Sequence, residues 1–227
     1  MPPKRPTKST KKITGSSKAV KRPSTKSAAK LDLYAKHKNE YVASAKRPSL
    51  VRVGPAKYLS ILGSGAPGSE PFTRAIGAMY NVAYTIKMAR KFAGQDYKVM
   101  ALEGLWVVDS PSGKWSDPNN KWNWELMIRV PTFINEKELR STIEQLLAKG
   151  KDAEVGKVKL VEYTEGECVQ MLHVGPYATE EETIGKMREF AAMAGRQFSG
   201  RHHEIYLSDP RRTAPEKLKT ILRIPIS

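Results

Sequence analysis

The sequence predicts an α+β fold: a tandem βαββ repeat forming one antiparallel sheet, with helices on one face and a pseudo-twofold ligand groove on the other. Strand-like and helix-like segments recur twice in one order. The first unit, about 50–130, runs strand 57–62, helix 70–92, strand 97–108, strand 122–130. The second, about 165–227, runs strand 167–174, helix 179–194, strand 201–208, strand 219–225. In each unit a glutamate lies inside the strand after the long helix, so that Ala101-Leu102-Glu103-Gly104-Leu105 aligns with His202-His203-Glu204-Ile205-Tyr206, Glu on Glu. Antiparallel sheets leave one face open, which is where a groove on the pseudo-twofold axis belongs.

In chain order, residues 1–30 come first as a basic tail of Lys, Ser, Thr and Pro, too poor in apolar residues to offset the entropy of ordering, and are expected to be disordered. Leu31, Leu33, Tyr34 and Tyr41 among charges suggest a lead-in helix over 31–41, and residues 50–53 a short strand. After strand 57–62, the loop Gly63–Gly68 leads to Ser69 as helix cap, with Glu70 and Pro71 in the first turn. Phe72, Ile76, Met79, Ala83 and Ile86 form one apolar stripe, and Gly94 stops the helix. Residues 110–120 read as a polar loop. Asn135 with Glu138 opens a connecting helix to Gly150, and 157–163 reads as a strand. Thr179 with Glu182 reads as a second capping box, Gly195 closes that helix, and Pro215 begins a helical turn before the last strand.

Composition narrows the function classes. The 227 residues are 40% hydrophobic and 8% aromatic, ordinary for a globular protein. Net charge is +16, but ten of the 39 basic residues and none of the 23 acidic ones lie in 1–30, so the remainder carries only +6. One cysteine, Cys168, excludes an internal disulfide and a multi-thiolate metal site, and reads as a small buried hydrophobe. No apolar run is long enough to span a membrane, and nothing suggests an oxidising compartment, so a cytoplasmic location is expected.

Two motifs have ordinary structural readings. Gly63-Ser64-Gly65-Ala66-Pro67-Gly68 is a literal G-x-G-x-x-G, but a dinucleotide fingerprint needs a parallel βαβ unit and an acidic residue ending the next strand; an ordinary turn is expected. His202 and His203 are adjacent on a strand and point to opposite faces, and neither an H-E-x-x-H helix nor a cysteine cluster is present, so no metal is expected. Strand alternation puts His202, Glu204 and Tyr206 together. With the tryptophans and tyrosines of the neighbouring strands, they describe a groove for a flat apolar ligand, whose buried carboxylates could meet a cation or act as a base.

Four stretches resemble the GyrI-like small-molecule-binding domain: Asn81-Val82-Ala83-Tyr84-Thr85-Ile86-Lys87, Tyr97 through Trp106, His173-Val174-Gly175-Pro176-Tyr177, and the long run from His202-His203-Glu204-Ile205-Tyr206-Leu207 to Ser208-Asp209-Pro210-Arg211-Arg212. The resemblance covers 31–227 and implies the tandem fold predicted above. Related domains are effector-binding modules of multidrug-sensing regulators, in which a buried glutamate meets cationic aromatic ligands. The subgroup most similar to this chain implies hydrolysis of cyclopropane-containing, DNA-alkylating natural products. Carried over by motif, Glu204 becomes the catalytic residue. Glu103, Trp106, Trp124, Tyr163 and Tyr206 become ligand-binding residues, and strand alternation adds His202 to them. Val107 stands where the family pattern leads one to expect a second tryptophan. Nothing selects a cofactor; the fold also has haem-binding relatives, but no axial ligand stands out.

The expected partner is therefore a planar hydrophobic small molecule, bound and, as the resemblance implies, hydrolysed; the alternative is a non-catalytic module that sequesters a ligand or senses it as an effector. The tail offers a second partner, nucleic acid phosphates contacted without sequence preference. Comparing DNA affinity of the full chain with that of a variant lacking residues 1–30, at two salt concentrations, checks this. The expected outcome is salt-sensitive binding that disappears on truncation.

Overall fold

The structure is a computed structural model that describes residues 29–110, 117 and 119–227. Most of the basic tail (residues 1–28) and the greater part of the polar loop, with Trp115, lie outside the described residues.

The chain forms an eight-stranded sheet, every ladder antiparallel. Its first unit is β2 (Ala56–Ser64), α3 (Glu70–Phe92), β3 (Leu102–Asp109) and β4 (Lys121–Arg129). The second is β6 (Gly166–Val174), α5 (Glu180–Met193), β7 (His202–Tyr206) and β8 (Lys219–Pro225). Two short helices, α1 (Leu33–Lys36) and α2 (Lys38–Tyr41), precede β1 (Ser49–Val53), and α4 (Glu136–Ala148) with β5 (Lys159–Tyr163) links the units. The strand order β1-β6-β8-β7-β3-β4-β2-β5 puts β3 against β7 at the centre, with matching neighbours on either side. This is the predicted tandem, with β1 and β5 added to its two edges.

Helix placement follows the apolar stripes. α3 buries Ala75, Ala78, Met79, Val82, Ala83 and Ile86 against Leu59 and Ile61 of β2 and Leu126 and Ile128 of β4. Under α5 a smaller cluster joins Ile184, Met187 and Ala191 to Val169, Met171, Leu222 and Ile224. The capping box at Asn135 and Glu138 forms as predicted. Ser69 and Thr179 occupy cap positions but make no side-chain cap bond; the Thr179 hydroxyl donates to the Pro176 carbonyl instead. The lead-in helix is interrupted at His37. The strand expected over 97–108 begins only at Leu102, because Tyr97 is bridged to Leu31 of the lead-in segment and not to a neighbouring strand.

Register assigns the polar residues to faces. Directly opposed residues of an antiparallel pair share a face. Glu204 lies opposite Gly104 and His202 opposite Trp106, whereas Glu103 lies opposite Ile205 and Leu105 opposite His203. Trp106 stacks on Phe72 of α3, so Glu204, His202 and Tyr206 are on the helix-bearing face. Glu103 is on the other. The Glu-on-Glu alignment read from the sequence is thus one residue out of register, and a one-residue slip exchanges the faces. At its centre, the helix-free face on which the groove was expected is covered by α2, held by side chains from four strands.

This cover is a buried polar network. Tyr41 donates to Glu103 at 2.8 Å, Gln170 donates to the Asn39 carbonyl at 2.8 Å, and Arg129 pairs with Glu40. His203 donates to both Glu103 (3.1 Å) and Glu165 (2.9 Å), and Arg223 reaches Glu165 at 3.2 Å and also bonds the Glu40 carbonyl. Burial disfavours the His203 charge, but the two carboxylates outweigh it and push its pKa up to about 9. Burial works against Glu165 too, yet His203 and Arg223 hold it down at about 2. Breaking such a buried set from one side costs roughly 3–5 kcal/mol.

The sign of each shift fixes the pH dependence of stability. The contribution of His203 is complete below its ordinary value of 6.5 and is lost as pH rises through about 9. That of Glu165 is complete above 4.5 and is lost as pH falls through about 2. The thermal midpoint should therefore decline between pH 6.5 and 9.5, and His203→Gln should flatten that limb while lowering the midpoint at pH 6.5. Differential scanning fluorimetry across the range checks both.

Candidate functional site

On the helix-bearing face the two units meet along β3 and β7, and the seam holds four of the residues the sequence singled out. Tyr206 and Trp106 come from opposite strands and are joined by a hydrogen bond from the indole Nε1 to the phenol oxygen at 3.0 Å. Gly104 makes that contact possible: a Cβ there would sit 2.9 Å from the Tyr206 oxygen and 3.0 Å from the Trp106 nitrogen. His202 Nε2 lies 3.2 Å from the Glu204 carboxylate. Both residues are 7% exposed.

α5 completes the site. Its first residue, Glu180, is 6% exposed and brings its carboxylate to 3.9 Å from His202 Nε2. The helix start is positioned by His173 of β6, whose Nδ1 faces the Thr183 hydroxyl at 2.9 Å and whose Nε2 lies 3.1 Å from the Pro176 carbonyl. Burial first, and then the charge of Glu204, raise Glu180 well above the usual carboxylate range. Tyr177 packs edge-on against Tyr206 at 6.1 Å between centroids. Burial and the Glu204 charge push Tyr177 up to about 12 and Tyr206 well above its ordinary value, so both phenols keep their protons at neutral pH.

Next to the carboxylates is a wall of aromatics. Phe72 of α3 contacts Trp106 and Trp124 at 5.3 and 5.5 Å between centroids, and Trp122 packs edge-on against Trp106 at 5.7 Å. Trp124 fits only because Gly63 lies beneath it, where a Cβ would fall 2.1 Å from the ring, and its Nε1 donates to the Gly65 carbonyl at 3.2 Å. The glycine loop therefore serves as a turn that seats Trp124, in a sheet with no parallel βαβ unit among the described residues. An open pocket of about 550 Å³ enters between the units, lined by Trp106, His202, Ile184, Arg188 and Phe198 among others.

Two of the residues expected in the groove are elsewhere. Glu103 is fully buried in the network on the opposite face. Tyr163 is on the edge strand β5, its ring 6.5 Å from Tyr58 and under Arg201, on the same side of the sheet as Glu103. Glu180, Tyr177, Gly104 and Phe72 were not singled out as site residues. Tyr177 ends a stretch already quoted for the family resemblance, but Glu180 sits in a Thr-Glu-Glu-Glu run whose glutamates read as ordinary helix-start charges. Cys168 is buried, and its thiol is pushed up to about 12 by burial, as befits an inert core residue.

This architecture recurs in known proteins. The family model of the GyrI-like small molecule binding domain matches residues 113–227. Two solved structures from Listeria innocua, an uncharacterized conserved protein and a hydrolase, are each 37% identical to this chain, covering 87% of it and 100% of their own length, with TM-scores of 0.81 and 0.77. The EcmrR C-terminal domain, 10% identical over 80% of this chain and 97% of its own, shares the fold with a TM-score of 0.51. Comparison with curated proteins gave no match. The chain belongs to the GyrI-like family of small-molecule-binding domains. No helix among the described residues is long and apolar enough to cross a membrane.

Gly104→Ala should break the Trp106–Tyr206 contact, since the added Cβ would come within 3.0 Å of both bonded atoms. Overpacking of this kind costs about 1–3 kcal/mol. Urea denaturation should show the lost stability, and tryptophan emission the altered Trp106 environment.

Proposed function

We propose that the protein binds a planar hydrophobic or aromatic small molecule in the seam between its two units and hydrolyses a cyclopropane-bearing, alkylating compound there. The observation that carries this reading is the buried Glu204 carboxylate at the end of an aromatic wall, beside protonated phenols. The aromatic side chains suit the flat face of a ligand, and the carboxylate suits a water molecule held against it. The solved relative described as a hydrolase is compatible with this chemistry.

In this reading Glu204 takes a proton from the water as its oxygen bonds to a cyclopropane carbon. The strained carbon–carbon bond breaks, its electron pair passes through the conjugated system to the ligand's carbonyl oxygen, and that oxygen gains a proton, so the net change is addition of one water. Tyr177 is the phenol donor for the developing oxyanion. Tyr206 and Trp106 fix the ligand plane, and His202 holds the Glu204 carboxylate in place. Ring strain supplies much of the driving force, leaving the protein to position water and stabilise the oxyanion. The basic tail, in the same proposal, adds loose contact with nucleic acid phosphates.

Incubating the protein with a cyclopropane-containing alkylator should yield a product heavier by one water in mass spectrometry. Glu204→Gln should lower the rate by roughly 10²–10⁴ while retaining ligand binding. Binding without turnover, unaffected by Glu204→Gln, would instead make the site a sequestering or effector-binding module.

A further inference from the structure

We propose that Glu180, His202 and Glu204 form a binding site for a divalent transition-metal ion of the zinc type. The three donors come from two elements, the start of α5 and the strand β7, and all three side chains are buried. One ligand atom from each lies within 4.8 Å of the other two. His202 Nε2 is 3.2 Å from Glu204 Oε1 and 3.9 Å from Glu180 Oε2. Metal–ligand bonds of about 2.0–2.2 Å put neighbouring ligands of a tetrahedral ion roughly 3.4 Å apart. The two separations from His202 bracket that value, and the third, between the carboxylates, is within 4.8 Å, so side-chain adjustment would be needed to close the site.

A second observation points the same way. Glu180 Oε1 is buried without a hydrogen-bond partner, although its residue is only 6% exposed. A buried carboxylate oxygen normally finds a donor or a cation. Among the described residues, the only basic side chain within ion-pair distance of Glu180 or Glu204 is His202. The cluster thus brings two carboxylates and an imidazole together with neither lysine nor arginine to balance them. One nitrogen and two oxygen donors suit zinc and its neighbours in the transition series better than calcium or magnesium, which favour all-oxygen cages. Three protein ligands leave a tetrahedral ion one further position, and His202 also lines the pocket beside Trp106.

The inference rests on the geometry of the cluster and not on the hydrolytic reading, and zinc titration in the absence of any organic ligand keeps the two apart. The full chain, stripped with chelator and dialysed, is titrated with zinc chloride by calorimetry, and with cobalt(II) followed by visible absorption. The expected result is one equivalent bound, a raised thermal midpoint, and ligand-field bands of four-coordinate cobalt. Glu180→Gln and His202→Gln should each weaken binding by roughly 10-fold or more, by analogy with the 10–100-fold losses that follow disturbance of even outer-shell groups. His37→Gln, at a histidine far from the cluster in the fold, should leave binding unchanged. Absence of zinc binding, or binding that survives both Glu180→Gln and His202→Gln, overturns the proposal. If either variant fails to fold, the wild-type cobalt spectrum decides: no ligand-field bands from the bound ion overturns it equally.

Discussion

Four residue pairs between β3 and β7, from Glu103–Ile205 to Trp106–His202, hold the two halves of the molecule in one sheet. Everything chemical about the protein takes its side from that register. With Gly104 opposite Glu204, the second unit sends its carboxylate and phenol toward the helices while the first supplies bare backbone and a tryptophan. Shifted by one residue, Glu103 would face Glu204 and the Trp106–Tyr206 bond would not exist. The pseudo-twofold of the backbone is therefore not a twofold of function. One unit contributes the aromatic wall, the other the ionisable groups.

The same register explains why both faces of the central sheet are polar yet buried. Away from the helices, Glu103, His203, Glu165 and Arg223 form a fully hydrogen-bonded network that α2 seals. Its carboxylates face an imidazolium, a guanidinium and a phenol, so its charges are balanced. On the helix side, Glu180 and Glu204 face each other across one imidazole, with no such balance. Desolvation acts on both sets alike; what separates them is the supply of opposite charge. A satisfied network orders the chain, whereas an unbalanced one is a place for a proton, an ion or a ligand.

Small residues determine where the large ones go. Gly63 gives Trp124 a flat seat and Gly104 lets Trp106 and Tyr206 touch across the seam. Neither position needs glycine for its backbone angle, since neither has positive φ among the described glycines. The requirement is volume alone, set by an aromatic ring from the next strand. Such a glycine reads in the sequence as a strand weakener, and its purpose appears only when the opposing strand is in place.

Period and punctuation made the tandem legible: apolar stripes of helical spacing, glycine stops, and the repeated order of strand and helix. They also made Glu204 legible, because alternation along β7 groups it with His202 and Tyr206 without any knowledge of neighbours. The remainder depended on contacts between segments distant in the chain. Glu180 precedes Glu204 by a full helix and joins it because the apolar stripe of α5 packs on β6 and β8 and His173 bonds Thr183 at the helix start. Glu103 matched Glu204 in the linear repeat, yet strand pairing put them on opposite faces, and Tyr163 went to a sheet edge. Local pattern determines which face of its own element a side chain occupies. Only the tertiary structure decided which faces meet, because register between strands is fixed by packing over the whole sheet and not by either strand alone.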